Sequence, residues 1–468
     1  MNICKKTIFN SILFILVPFL LSAQNDTVKC DVSVLGVASS GAYSPFWLNS
    51  RQYGIISDSP FSAGLLAGVN KDFDAKKSLL NYGFKANALL QIDNDQSNVF
   101  FHELYAKAQL LSVFDLVVGA REEHLGNQDS TLSSGGLLFS KNSRPMPKVT
   151  VGIEHFTAVP FTFGYLQIKG ALAHGWFTDN NKVQNALLHH KYLYVRVGGK
   201  LPVHLQYGLD HVAQWGGSIP GVGQQPTSFS DFKRIFLGKS GGSDALVTDQ
   251  INALGNHIIS QSMKLEASIS DFKMSLYWQN ISEDGPIKIM WNAMNRYDGL
   301  VGLSIRNNNL PIVKGIVYEF LNTQNQSGPF HDQDGIVFGG ADSYFSNGVY
   351  QSGWSYFSRT IGTPFIFNKY NDKYIQVNNR VQVHHVGIEG DVLGYQYKAM
   401  SAFSKNLGTY AEPIKIENTS VMLEVKKIFP TLSNVELSWS VAADFGKLYG
   451  NTVGTMFSIR KTGDLFHY

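Results

Sequence analysis

Residues 82–92 read Tyr82-Gly83-Phe84-Lys85-Ala86-Asn87-Ala88-Leu89-Leu90-Gln91-Ile92. The even-numbered positions are Tyr, Phe, Ala, Ala, Leu and Ile; the odd-numbered ones are Gly, Lys, Asn, Leu and Gln. Side chains of an extended chain alternate between two faces, so this is a strand with one apolar and one mostly polar surface. The alternation returns at 102–110, where Leu104, Ala106, Ala108 and Leu110 oppose Glu103, Tyr105, Lys107 and Gln109. It returns again at 263–269, 272–279 and 435–444. Shorter two-period runs lie near 114–121, 162–170, 191–197, 203–213, 315–320, 380–388, 395–403, 420–426 and 453–460.

Two architectures give this pattern. A soluble sandwich turns its apolar face to a core, whereas a transmembrane barrel turns it to lipid and lines its lumen with polar groups. The longer runs approach the roughly 9–11 residues that a tilted membrane strand needs. Aromatics punctuate the expected strand ends (Trp176, Trp215, Trp278, Trp354), and the chain ends in Tyr468. The reading is all-β: a transmembrane antiparallel β-barrel of 16–20 strands. Composition agrees, with only 16% charged residues, 13% aromatics and 44 glycines. The soluble-looking mean hydropathy of -0.08 is the average of an apolar outside and a polar inside. No repeat of about 20–50 residues supports a propeller.

The N-terminus fits export. Lys5 and Lys6 precede an apolar run from Ile8 to Leu21, then Ser22, Ala23 and Gln24. This pattern predicts a signal peptide over residues 1–23 and one barrel domain over 24–468. Cleavage would remove Cys4 and leave Cys30 as the only thiol, and would leave 37 basic residues against 36 acidic ones. That balance gives no case for nucleic acid. No later stretch reads as a spanning helix. Long connections are expected near 122–148, 216–262, 280–300 and 321–372, either outside the cell or folded inward.

Motifs for chemistry fail in turn. Gly238-Lys239-Ser240 lacks the earlier glycine of a phosphate loop, which falls at Lys233. Gly353-Trp354-Ser355 is followed by Tyr356, so the hydrolase elbow is incomplete. His189-His190 and His384-His385 are neighbours on expected strands, where side chains diverge and cannot share one metal. Glu122-Glu123 reads as a solvated rim. No catalytic residue, metal site or cofactor is expected.

What remains is a set of connections dense in Trp, Tyr, Asn, Gln, His, Asp and Arg, at 140–147, 210–217, 252–257, 319–328 and 339–364. Rings beside amides and carboxylates suit a carbohydrate, and Arg suits acidic sugar units. The candidate polysaccharide contacts are Arg144, His211, Trp215, Asn256, His257, Asp342, Tyr344, Trp354 and Arg359. Some of these are expected to brace the lumen instead, foremost Arg144, Asp342 and Arg359, since paired buried charges are costly to break.

These connections resemble the Wzi family of capsule assembly proteins. The resemblance rests on Asn142-x-Arg144-Pro145-x-Pro147, His211-x-x-Gln214-Trp215-Gly216-Gly217, Gly255-Asn256-His257 and Tyr297-Asp298-Gly299-Leu300. It extends through Glu319-Phe320-x-x-Thr323-x-x-Gln326-Ser327-Gly328 and Tyr344-Phe345-x-Asn347 to Gly353-Trp354-Ser355-Tyr356 and Arg359-x-Ile361-Gly362-x-Pro364. Ala341 and Thr363 depart from the family pattern. The resemblance implies an outer-membrane barrel of a Gram-negative bacterium with 18 strands and a lumen occluded by inward-folding loops. It also implies a non-enzymatic, lectin-like role in organising capsular or extracellular polysaccharide at the cell surface. The implied partners are that polysaccharide, outer-membrane lipid and the polysaccharide export machinery. A porin, which needs an open lumen, and an outer-membrane hydrolase are the alternatives.

Overall fold

The computed structural model describes residues 27–467 apart from 74–78, 180, 252, 284–294, 330–331, 334–335, 338–339 and 371–374. The expected signal peptide, Asn252, Gly339 and Tyr468 lie outside the described residues. Alternating segments become the staves of one 18-stranded sheet. The first six are β1 Thr27–Ser39, β2 Phe61–Lys71, β3 Leu80–Asp93, β4 Ser97–Leu110, β5 Phe114–Ala120 and β6 Lys148–Ala158. Next come β7 Leu166–Trp176, β8 Leu187–Val197, β9 Val203–Trp215, β10 Asn256–Ile269, β11 Phe272–Glu283 and β12 Gly299–Arg306. The last six are β13 Gly315–Asn322, β14 Val381–Val392, β15 Tyr395–Gly408, β16 Pro413–Phe429, β17 Val435–Gly446 and β18 Thr452–His467.

Each strand pairs antiparallel with its sequence neighbours, and β1 closes the cylinder on β18 from Thr27↔His467 to Ser39↔Gly454. Closure leaves no edge, which is what lipid demands of a spanning sheet. The alternation sorts as expected. In β3, Asn87, Leu89 and Gln91 are buried inward while Leu80 and Ile92 are exposed outward. The described residues contain no helix long and apolar enough to cross a membrane.

Three readings need correction. Thr162 to Tyr165 belong to the turn before β7, not to a strand. Residues 256–262, expected in a connection, are the first half of β10, where Ser260 and Ser262 face a polar lumen and meet Gln279 and Asn127. Trp354 adjoins a two-residue strand of a small hairpin in connection 323–380 and not a barrel strand, and Trp278 lies inside β11.

The long connections 40–60, 121–147, 216–255 and 323–380 all leave one end of the cylinder, and turns such as 198–202, 270–271 and 393–394 close the other. Short turns mark the periplasmic end of such barrels. Inside, an apolar cluster joins wall residues (Val37, Val212, Ile281, Val383, Met422) to connection residues (Phe46, Trp47, Leu138, Tyr344, Trp354). Except on part of the outer wall described below, the connections therefore fold inward and pack as a plug.

The plug is held by buried polar groups of the wall. Across β11, β12 and β13 the residues Tyr277, Gly302 and Glu319 stand in one row. The Tyr277 ring lies over Gly302, where a Cβ would come within 2.2 Å of it. The ring's hydroxyl can therefore reach across and donate to Glu319 Oε1 at 2.7 Å. The other oxygen of Glu319 accepts from Ser134 N and Ser134 Oγ, each at 2.6 Å. Ser134 belongs to the connection that leaves β5 on the opposite side of the barrel. Leu137 N donates to Gln279 at 2.6 Å and His385 Nε2 meets Leu132 O at 2.7 Å, so the segment is fixed across the lumen.

Gly302→Ala forces the Tyr277 ring off this row. It is expected to cost about 2–4 kcal/mol from overpacking and a lost buried hydrogen bond. Denaturant titration measures the loss, and hydrogen exchange should locate it at 132–138, with protection of the distant β16–β17 pair unchanged.

Candidate functional site

The residues singled out from sequence separate into three places. Arg144 and Arg359 lie near the outer end. The Arg144 guanidinium stands over the rings of Phe100 and Phe357, with its carbon 3.6 and 4.4 Å from their centroids. Arg359 donates to Asn49 O at 3.1 Å and Ile56 O at 2.6 Å, tying connection 323–380 to connection 40–60. Burial lowers the pKa of both groups.

Asn256, Asp342, Tyr344 and Trp354 belong to the lumen. Asn256 donates to Gln214 at 2.9 Å, and Asp342 accepts from Ser327 Oγ at 2.5 Å. Tyr344 donates to Asp298 at 2.9 Å, and Trp354 donates to Leu138 O at 2.9 Å. Asp298 also accepts from the amides of Asn325 and Gln326, which starts the inward path of connection 323–380. Tyr344 and Trp354 are 0% and 1% exposed, so neither has a ring face free for a sugar. The expected bracing role is corrected in kind. Among the described residues, Arg144, Asp342 and Arg359 form no ion pair and hold the plug through rings, carbonyls and a hydroxyl instead.

His211, Trp215 and His257 face outward, sharing strand parity with the exposed Leu205 and Leu265. His211 Nε2 meets His257 Nδ1 at 2.8 Å, and His257 Nε2 meets Leu254 O at 2.7 Å. A helix at Phe229–Leu237, opened by a Ser228–Asp231 capping box, lies over them and buries Trp215 with Ile235, Ala245 and Leu254. Connection 216–255 thus covers part of the outer wall with its helix, while its first residues meet the plug, where Ile219 packs on the lumen cluster and Gly216 O accepts from Tyr350 at 3.1 Å. The paired histidines diverge as expected: His190 meets Asp210 inside while His189 packs on Phe232 outside.

An open feature at the outer end is a groove of about 200 Å³ between connections 40–60, 121–147, 323–380 and 447–451. Tyr43, Asp58, Asn142, Phe357, Arg359 and Tyr449 line it. Sequence reasoning found Arg359 but missed the others, because four separate connections meet only in the folded state. Phe357 is 38% exposed and Tyr43 46%. Phe357 and Ser358 occupy the two-residue turn of a hairpin pairing Ser355–Tyr356 with Arg359–Thr360, with φ of 48° and 60°. That turn normally takes Asn-Gly. Its cost here is offset by Asp179, which accepts from Phe357 N at 2.8 Å, and by the Arg144 stack. The strained turn holds an aromatic ring at the outer surface.

Below the groove, Glu123 proves to be no solvated rim. It pairs with Arg121 at 3.0 Å and Lys148 at 2.5 Å, while Glu122 meets His102 at 2.8 Å. Burial would raise the Glu123 pKa, but Lys148 and Arg121 carry it down from 4.5 to about 2. Burial lowers neighbouring His124 to about 4, so it is neutral at pH 7. The stability contributed by Glu123 is present above its ordinary pKa of 4.5 and is lost as pH falls toward 2. Connection 121–147 should lose hydrogen-exchange protection over that interval. Glu123→Gln should remove this share of the acid sensitivity and cost on the order of 3 kcal/mol at pH 7.

A family model described as capsule assembly protein Wzi matches residues 57–439. No curated protein matches the sequence. Among solved structures the chain is similar to Wzi of Escherichia coli, described as a carbohydrate-binding β-barrel involved in group 1 capsule assembly. The TM-score is 0.60 at 12% identity, over 96% of this chain and 87% of that one. Pseudomonas aeruginosa OpdQ gives 0.50 at 8% identity, over 95% and 100%. OccK5 of the same organism gives 0.50 at 8%, over 94% and 99%. At such identities the likeness is one of fold.

Proposed function

We propose, since this chain belongs to the Wzi family of capsule assembly proteins, that it binds exported polysaccharide at the cell surface and does no chemistry on it. The chain is an outer-membrane β-barrel of a Gram-negative bacterium. Connections 40–60, 121–147 and 323–380 pack inside the lumen, which supports a binding role over a conducting one. The observation that carries the reading is the outer groove. It sets the exposed rings of Tyr43 and Phe357 beside Asp58, Asn142 and Arg359. Rings take the CH faces of sugars, while planar amide, carboxylate and guanidinium groups meet hydroxyls and acidic substituents. The polysaccharide is the capsular or extracellular polymer that the cell exports, and outer-membrane lipid surrounds the wall. The export machinery is the expected source of the polymer.

Of the residues chosen from sequence, Arg359 enters this site directly and Arg144 positions Phe357 beneath it. The buried Trp354 directly precedes the hairpin that carries Phe357 and Arg359, and the buried Tyr344 ties connection 323–380 to Asp298. His211, Trp215 and His257 lie on the outer wall, away from it.

Phe357→Ala removes a stacking face and is expected to weaken polymer binding roughly tenfold. Tyr43→Ala should act in the same direction. Capsule retention on cells carrying each variant, with surface expression verified, measures the effect. Full retention in both single variants and in the double variant would place the binding surface elsewhere.

A further inference from the structure

Within the plug lies a second cavity, of about 370 Å³, between connection 40–60, connection 121–147 and the inner faces of β15 and β16. Its volume is within the range of about 300–1,000 Å³ typical of ligand sites. The ring of Trp47 and the side chains of Met400 and Met422 form its apolar side. Its polar side carries Arg51, Lys141, Lys398 and Glu122.

The charges are unevenly matched. Lys398 pairs with Glu424 at 3.1 Å, and Glu122 meets His102 at 2.8 Å. Among the described residues Lys141 donates only to a carbonyl, Ser130 O, at 2.8 Å. Arg51 forms no ion pair among the described residues, and its buried Nε has no hydrogen-bond partner. The carboxylates of Glu319 and Asp129 act on it only through space. A desolvated cation without a counter-charge is expensive to keep.

The backbone marks the same place. Arg51, Tyr53 and Lys141 adopt φ of 59°, 50° and 68°, a region that side chains avoid. Tyr53 N donates to Lys141 O at 2.7 Å, which locks the two strained segments together. Strain of this kind persists where surrounding structure enforces it, characteristically at binding sites.

We infer that this cavity binds a carboxylate-bearing sugar, with Arg51 as the planar clamp on the carboxylate, Lys141 as the second cation and Trp47 as the apolar wall. Arg matches a carboxylate in two parallel bonds, which a lysine cannot do. The sugar acid is either a free monosaccharide or one unit of the exported polymer. Only that second source rests on the function proposed above.

Calorimetric titration of the purified full-length barrel in detergent tests this, with D-galacturonate, an oligogalacturonate and neutral D-galactose as probes. D-galacturonate should bind the wild type, weaken with added salt, and bind Arg51→Gln about thirtyfold or more weakly. D-galactose should not bind. Heat-dependent mobility on gels checks that each variant is folded. If Arg51→Gln does not fold, Arg51→Lys keeps the charge without the fork and should still bind several-fold more weakly. Tighter binding of the oligomer assigns the site to polymer, and equal or weaker binding to the free acid. The loss in Arg51→Gln is read whether or not Phe357→Ala alters capsule retention, so the outer groove can fail without this site failing. No binding of D-galacturonate to the wild type, undiminished binding by the Arg51 variants, or equal binding of D-galactose would overturn the inference.

Discussion

The buried carboxylate of Glu319 is the constraint on which the rest of the molecule depends. It is 0% exposed, and a carboxylate so placed is tolerable only if its oxygens are met by donors. Tyr277 supplies one from the same wall, and Ser134 supplies two from a segment that starts across the lumen. Satisfying one wall charge therefore draws connection 121–147 through the barrel. Arg306 repeats the device on Asp129 at 2.6 Å, next to Ser304. Once that segment crosses, Trp354 can donate to Leu138 O and Asn142 to Thr360 O, and connection 323–380 settles on top. Asp444 then caps the short helix at Phe46–Asn49 through Phe46 N at 2.8 Å.

The wall was legible in the sequence because its signal is local. A period of two needs only ten residues to declare itself, and the parity of Asn87, Leu89 and Gln91 carried directly into the structure. The bulge in β4 shows where a local reading stops. His102 and Glu103 both turn inward there, so the alternation read from 102 to 110 begins one residue later. The plug was not legible, because its bonds join residues such as Ser134 and Glu319, which stand 185 positions apart. Composition marked the connections as rich in rings and amides. It could not say which of them meet sugar and which meet each other. Trp354 and Tyr344 met each other's neighbours; Tyr43 and Phe357, which drew no attention, reached the surface. His211, Trp215 and His257 were misplaced for another reason: nothing in their spacing reveals that a helix would cover them from outside.

Division of labour follows from this build. The outer groove gathers exposed rings from separate connections, while the cavity below gathers unmatched cations. The plug that forms both is fixed by hydrogen bonds at 2.6–3.1 Å to wall and connection alike. Under the proposed function, such rigidity means that less order is lost on binding a polymer.

The central claim is that the connections seal the lumen, so that the barrel holds its ligand and does not pass it. Ion current through the purified wild-type protein in a planar lipid bilayer tests this most directly. The account predicts a membrane that stays silent under applied voltage. Steady, ohmic, single-channel steps from the wild type would contradict it.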